Sequence, residues 1–172
     1  MTTCQRSEHL ARLYSDYSKS RASFAAMIAR FLSPNADLRS KAILDIGCGD
    51  GIIASTVAAM GADTTALEYD IGRVEDMVKF GVEFKLVRGD AHALPFRPRS
   101  FDSAILADFL EHLRDPECVM RETARVLAPA VRWYVGATNR TSHSTSARPT
   151  AADSGEIGCA AFTRNETCSV ND

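Results

Sequence analysis

Residues 7–33 carry apolar side chains at Leu10, Leu13, Tyr14 and Tyr17, and again at Phe24, Met27, Ile28 and Phe31. Each set steps i, i+3, i+4, i+7, the signature of one amphipathic helix face. Ser18 to Ser20 reads as a break between two helices, and Pro34 with Asn35 closes the zone. From about residue 41 the pattern changes to short apolar runs separated by helical stretches. Ala42 to Ile46 is a buried-strand run that ends at glycines. Ile52 to Met60 reads as a helix with Ile53, Val57 and Met60 on one side and Gly61 as its stop. Thr64 to Leu67 is the next strand, a helix follows over Ile71 to Lys79, and Phe84 to Val87 and Asp102 to Leu106 are further strands. Asp115 before Pro116 predicts a helix start, an N-cap followed by proline in the first turn. That helix turns Val119, Met120, Ala124 and Leu127 inward and Arg121, Glu122 and Arg125 outward. Arg132 to Val135 is a fifth strand. Alternation at this spacing predicts an α/β fold, a doubly wound, mostly parallel sheet with helices on both faces.

After Asn139 the periodicity stops. Residues 139–172 are rich in serine and threonine, and only Ile157, Phe162 and Val170 are sizeable apolar residues. Such a segment buries too little surface to offset its ordering entropy and reads as disordered. The expected organisation is therefore an N-terminal helical zone over 1–40, a sheet domain over 41–138 and a tail over 139–172.

Length and charge narrow the function classes. The chain has 172 residues, 45% of them hydrophobic, and a formal net charge of −2, which suits one globular core and gives no electrostatic footprint for nucleic acid. No apolar run of about 18 residues occurs, so no membrane span is expected. The N-terminal stretch lacks a signal-peptide pattern, and the five cysteines, Cys4, Cys48, Cys118, Cys159 and Cys168, are scattered and odd in number. They form neither a disulfide framework nor a zinc site, and a reduced, cytoplasmic location is the expectation.

The most informative stretch is Leu44-Asp45-Ile46-Gly47-Cys48-Gly49-Asp50-Gly51. An apolar strand runs into glycines at every second position and then into a helix. Glycines there let the backbone turn sharply and bring a ligand against peptide groups at a helix N-terminus; the same turn is also compatible with no ligand. The dinucleotide fingerprint G-x-G-x-x-G is not met, because Ile52 fills its third glycine slot. The triphosphate-binding G-x-x-x-x-G-K-[ST] loop is absent as well.

G-x-G-x-G after an acidic strand end resembles motif I of the class I, Rossmann-like S-adenosylmethionine-dependent methyltransferases. Further features fall where that family has them. Glu68 ends the second strand, where a carboxylate accepts from ribose hydroxyls in nucleoside sites on this topology. Arg88-Gly89-Asp90-Ala91 and Leu94-Pro95-Phe96 follow the third strand. The resemblance implies that Asp90 accepts from the adenine amino group and that the Ala91 N–H meets a ring nitrogen. It also implies that Asp45 orients the loop and reaches the amino group of the cofactor's methionine part, with Ala107 lending backbone to the same end. Ala107-Asp108-Phe109-Leu110-Glu111-His112 is similar to a segment of ubiquinone-pathway O-methyltransferases within the small-molecule branch.

S-adenosylmethionine is therefore the expected cofactor, held by Asp45, Gly47, Gly49, Gly51, Glu68, Asp90, Ala91 and Ala107, with a small molecule as methyl acceptor. The sulfonium methyl is already activated, so the protein mainly aligns an acceptor, and His112 is the candidate base where the acceptor must lose a proton. Asp108, Glu111 and His112 suggest a weak oxygen and nitrogen metal site, but such trios are more often surface and capping groups, and no metal is expected. The N-terminal zone is expected to lid the site, as in the family. Two departures stand out. Ala130 and Val131 stand where the family usually has two glycines, and no strand pair follows Asn139. The chain thus reads as cut short or frame-shifted and lacking the last two strands. That implies an exposed fifth-strand edge open to homodimerisation, and a competing reading in which the chain binds cofactor or partner without turnover.

Overall fold

A computed structural model describes residues 19–33, 37–129 and 131–136, with Phe80 described by its backbone alone. The expected first helix with Leu10 to Tyr17, the Pro34–Asn35 boundary, Ala130 and the tail over 139–172 lie outside the described residues.

Helix α1 occupies residues 19–32. Lys19 and Ser20, the last two residues of the expected break, are helical and exposed, and Ser18 lies outside the described residues. Its buried face is Ala25, Ile28 and Ala29, with Phe24 and Phe31 set edge-on against Tyr134 at centroid distances of 5.8 and 6.0 Å. Met27, expected on that face, is 39% exposed, because the buried stripe centres on Ala25, Ile28 and Ala29 and the helical repeat carries Met27 away from it. The strands are β1 (Ala42–Ile46), β2 (Asp63–Glu68), β3 (Lys85–Arg88), β4 (Ser103–Ala107) and β5 (Tyr134–Gly136). Between them run α2 (Ile52–Ala59), α3 (Ile71–Phe80) and α4 (Pro116–Val126).

All neighbours are parallel in the order β3-β2-β1-β4-β5. The chain starts in the centre, winds outward to β3, then returns to β4 beside β1 and winds the other way. The direction reverses between β1 and β4, and in such sheets the crevice outside the carboxyl ends at that point receives ligands. Strand alternation separates two apolar layers. Leu44, Ile46, Ala104 and Leu106 face Val119 and Val126 of α4. Ile43, Ile105 and Tyr134 face Ile28 of α1 and Val57 of α2 on the other side. Ala54, Ala66 and Met77 join α2, β2 and α3 on that second side.

Asp115 caps α4 by accepting from the Cys118 N–H at 2.9 Å, with Pro116 in the first turn, as the sequence predicts. Two helix side chains predicted to face outward do not simply meet solvent. Glu122 and Arg125 pair at 2.7 Å, Glu122 accepts the Leu94 N–H at 2.9 Å, and Arg125 donates to the Leu94 and Phe96 carbonyls at 2.9 and 2.8 Å. A polar helix face satisfies a loop's backbone here instead of facing water alone. β3 is displaced one residue from its predicted span because it registers with Thr65–Glu68 of β2, and Phe84 turns toward Gly51. β5 is shorter than predicted, since only Ile105 to Ala107 of β4 pair with it. Among the described residues no helix is long and apolar enough to cross a membrane.

Candidate functional site

β1 ends at Ile46, and the chain turns through Gly47, Gly49 and Gly51, all with positive φ of 72°, 61° and 75°, before α2 begins. The three glycines serve different ends. A Cβ on Gly51 would lie 2.9 Å from both Met77 Sδ and Phe84 Cζ, so this glycine permits packing of α2 against α3 and β3. A Cβ on Gly47 would lie within a bond and a half of the Phe109 ring. Gly49 alone opens outward, its virtual Cβ meeting only the tip of Arg73 at 3.3 Å.

Glu68 closes one side of the loop. Its Oε2 accepts the Gly49 N–H at 2.9 Å, and its Oε1 accepts the Tyr69 and Asp70 N–H groups at 2.8 and 2.9 Å. A carboxylate offers about four lone-pair positions, so about one remains, on Oε2. Asp70 accepts the Arg73 N–H at 2.9 Å and caps α3.

Asp45 lies beneath the loop, 2% exposed, on the face of β1 that carries core residues elsewhere. Burial pushes its carboxyl up to about 7, against the opposing pull of the Arg21 charge and the Ala54 N–H. Its Oδ2 has no hydrogen-bond partner, and neither does the Nε of Arg21. Arg21 reaches over from α1 and pairs with Asp108 at 2.6 Å. Asp108 follows β4 in a left-handed conformation, φ 51°, which Asp tolerates better than most residues. Its N–H donates to the Gly136 carbonyl at 2.8 Å, fixing the turn to β5.

A cleft of about 450 Å³ lies at the carboxyl edge between β1, β2 and β4, and Gly47, Gly49, Glu68, Ala107 and His112 all border it. Arg21, Arg73, Asp108 and Phe109 are among its other walls. Of the residues singled out in the sequence, Asp45 and Gly51 lie beneath or behind the cleft. Asp90 and Ala91 sit in the 3₁₀ turn after β3, outside the cleft wall. His112, itself exposed, ends the otherwise half-buried 3₁₀ turn Leu110–His112 at the mouth. Asp108, Glu111 and His112 do not assemble as ligands, and among the described residues no cluster of His, Cys, Asp or Glu is arranged to hold a metal ion. The sequence singled out neither Arg21 nor Phe109 for this site. Arg21 meets Asp108 across 87 residues of chain, so no local pattern could have paired them.

The residues fit a nucleoside linked to an amino-acid tail. The unpartnered Asp45 oxygen suits an ammonium, the Arg21 guanidinium suits a carboxylate, Gly49 leaves backbone open to close approach, and Glu68 keeps an acceptor for a hydroxyl. The cleft's size is within the ordinary range for small-molecule sites.

A family model described as a methyltransferase domain matches residues 44–135. A ubiquinone biosynthesis O-methyltransferase from Xanthomonas oryzae pv. oryzae is 29% identical over 116 residues, covering 64% of this chain and 48% of its own length. One from Neisseria meningitidis serogroup C is 30% identical over 112 residues, covering 58% and 44%. The chain thus spans about half the length of the curated relatives it matches. A SAM-dependent methyltransferase structure from Methanosarcina mazei is similar at TM-score 0.53 and 27% identity, covering 57% of this chain and 52% of that one. The [4+2]-cyclase SpnF shares the fold at TM-score 0.60 and 24% identity, covering 67% and 44%.

Proposed function

The chain belongs to the methyltransferase-domain family, and from that premise we propose that it is an S-adenosylmethionine-dependent methyltransferase acting on a small molecule. The observation that carries this reading is the Gly49–Glu68 contact of 2.9 Å at the reversal point of the sheet. It joins the open glycine of the loop to an acid with one acceptor position left, the pairing a ribose needs. When bound, the cofactor supplies a methyl group already activated on a sulfonium sulfur.

The protein's own work is binding and alignment. Asp45 and Arg21 take the charged ends of the amino-acid tail, the Gly49 backbone lies along it, and Ala107 floors the same end. Asp90 and the Ala91 N–H, placed after β3, read the adenine edge. α1 forms one wall of the cleft through Arg21, in keeping with a helical lid. The O-methyltransferase relatives favour oxygen as the methylated atom. His112, exposed at the mouth, is the candidate base for an acceptor hydroxyl.

Calorimetry with S-adenosylmethionine and S-adenosylhomocysteine tests the cofactor half, with Glu68→Gln as control. Binding is expected in the parent chain and at least about tenfold weaker binding in the variant; a folded parent chain that binds neither ligand overturns the proposal. Methyl transfer to hydroxylated aromatic acceptors tests the other half. Cofactor binding without transfer to any acceptor class would favour a non-catalytic, methyltransferase-like role.

A further inference from the structure

Asp90 takes two hydrogen bonds from one neighbour. The His92 N–H donates to Asp90 Oδ1 at 2.9 Å, and His92 Nδ1 lies 2.8 Å from the same oxygen. A ring nitrogen facing a carboxylate is the donor of the pair, which fixes the hydrogen on Nδ1. Both lone-pair directions of Oδ1 are then filled, and among the described residues Oδ2 has no hydrogen-bond donor. Together the two donors hold the Asp90 carboxyl below the usual carboxylate range, the backbone contribution being the larger. The group is therefore an ionised acceptor at neutral pH.

The backbone bond alone would suffice to cap the 3₁₀ turn Ala91–Ala93, and any residue but proline at position 92 would supply it. The ring bond is additional. Nor is the ring there to fill the core, since a third of the side chain is exposed. Its backbone is held from α4: Cys118 Sγ contacts the His92 carbonyl at 3.5 Å, and Glu122 and Arg125 fix Leu94 and Phe96 just beyond. A side chain on so firmly held a turn can set the direction of its neighbour's carboxylate.

We propose that His92 is a positioning residue for adenine recognition: through Nδ1–H it occupies Asp90 Oδ1 and presents Oδ2 to the 6-amino group of the cofactor's purine. This rests on Asp90 being the adenine acceptor, as read above. Discrimination between purines with and without the amino group therefore depends on His92, although His92 touches neither purine.

The test uses the full chain, two ligands and four proteins. Affinities for S-adenosylhomocysteine and for its purine-riboside analogue, which lacks only the 6-amino group, are measured by calorimetry. The proteins are the parent, Asp90→Ala, His92→Leu and His92→Asn, each checked for folding by circular dichroism, with His92→Ala replacing a His92→Leu that does not fold. Asparagine carries an amide N–H close to the position of imidazole Nδ1. The parent is expected to prefer the amino ligand about 10–100-fold, the range for a hydrogen bond to a charged acceptor. Asp90→Ala should abolish most of that preference, His92→Leu should reduce it about 3–10-fold, and His92→Asn should restore it. If Asp90→Ala leaves the preference intact, the adenine reading fails and the proposal with it. If Asp90→Ala lowers the preference but His92→Leu does not, or His92→Asn fails to restore it, the positioning role alone is overturned.

Discussion

Replacing Asp45 with asparagine removes the charge while keeping the shape, and the consequence can be worked from the burial of this one group. Its carboxyl is 2% exposed and pushed up to about 7 by desolvation, with the Arg21 charge offsetting part of that. Moving a carboxyl from 3.8 to about 7 disfavours the ionised folded state by on the order of 4 kcal/mol. The sign follows from proton linkage. The native chain keeps this proton to higher pH than the unfolded chain does, so the group's contribution to stability falls as pH rises from about 4 to about 7 and is flat above that. Asparagine escapes the whole penalty but leaves an amide where Oδ2 lacks a partner, which returns about 1–3 kcal/mol. The variant should therefore be more stable than the parent by about 1–3 kcal/mol at pH 8, and indistinguishable or less stable at pH 4.

Urea unfolding of both proteins from pH 4 to pH 8 measures this directly, as the difference between variant and parent. Binding should move the opposite way. A ligand ammonium beside Asp45 favours the ionised carboxylate, so parent affinity for S-adenosylhomocysteine should rise toward pH 7 and level off, while the variant binds weakly and without that rise. A variant less stable than the parent at pH 8, or one whose affinity keeps the parent's rise toward pH 7, would refute the argument that burial holds Asp45 poised for a cationic ligand.

The two loop glycines that differ most in surroundings should separate folding from binding. Gly51→Ala forces a side chain into left-handed backbone against Met77 and Phe84 and should cost about 2–4 kcal/mol in denaturant unfolding. Gly49→Ala meets only a flexible arginine tip, should cost about 1–2 kcal/mol, and should lose cofactor binding in calorimetry. Arg125→Met strips donors from the Leu94 and Phe96 carbonyls and leaves Glu122 without its cation, so the turn after β3 should show faster amide exchange and S-adenosylhomocysteine affinity should drop. Arg21→Met breaks the 2.6 Å pair with Asp108 and removes the charge that offsets the burial of Asp45, so it should weaken S-adenosylhomocysteine binding by about tenfold and cost about 1–3 kcal/mol of stability, read by calorimetry and thermal melts.

What the sequence revealed and what it hid divide along one physical line. The glycine loop, the Asp115–Pro116 start of α4 and the acid at the end of β2 were legible because each is imposed by its immediate neighbours: a turn needing positive φ, a helix with unsatisfied N–H groups, a strand running out of sheet. Phe109 over Gly47, Arg21 on Asp108 and the Glu122–Arg125 hold on the Leu94–Phe96 loop join residues far apart in the chain, and no period or motif announces them. Helix α4 is the instructive case. A polar residue on the outer face of an amphipathic helix reads as solvated because water is the usual neighbour of that face. Yet a loop crossing the helix exposes carbonyls and N–H groups that must be satisfied just as water would satisfy them, and Glu122 and Arg125 do this. Polarity in the pattern thus reports a demand for hydrogen bonds without saying whether solvent or backbone meets it. Here the backbone that meets it belongs to the turn carrying Asp90 and His92, so the residues least conspicuous in the sequence hold the segment proposed to read the adenine.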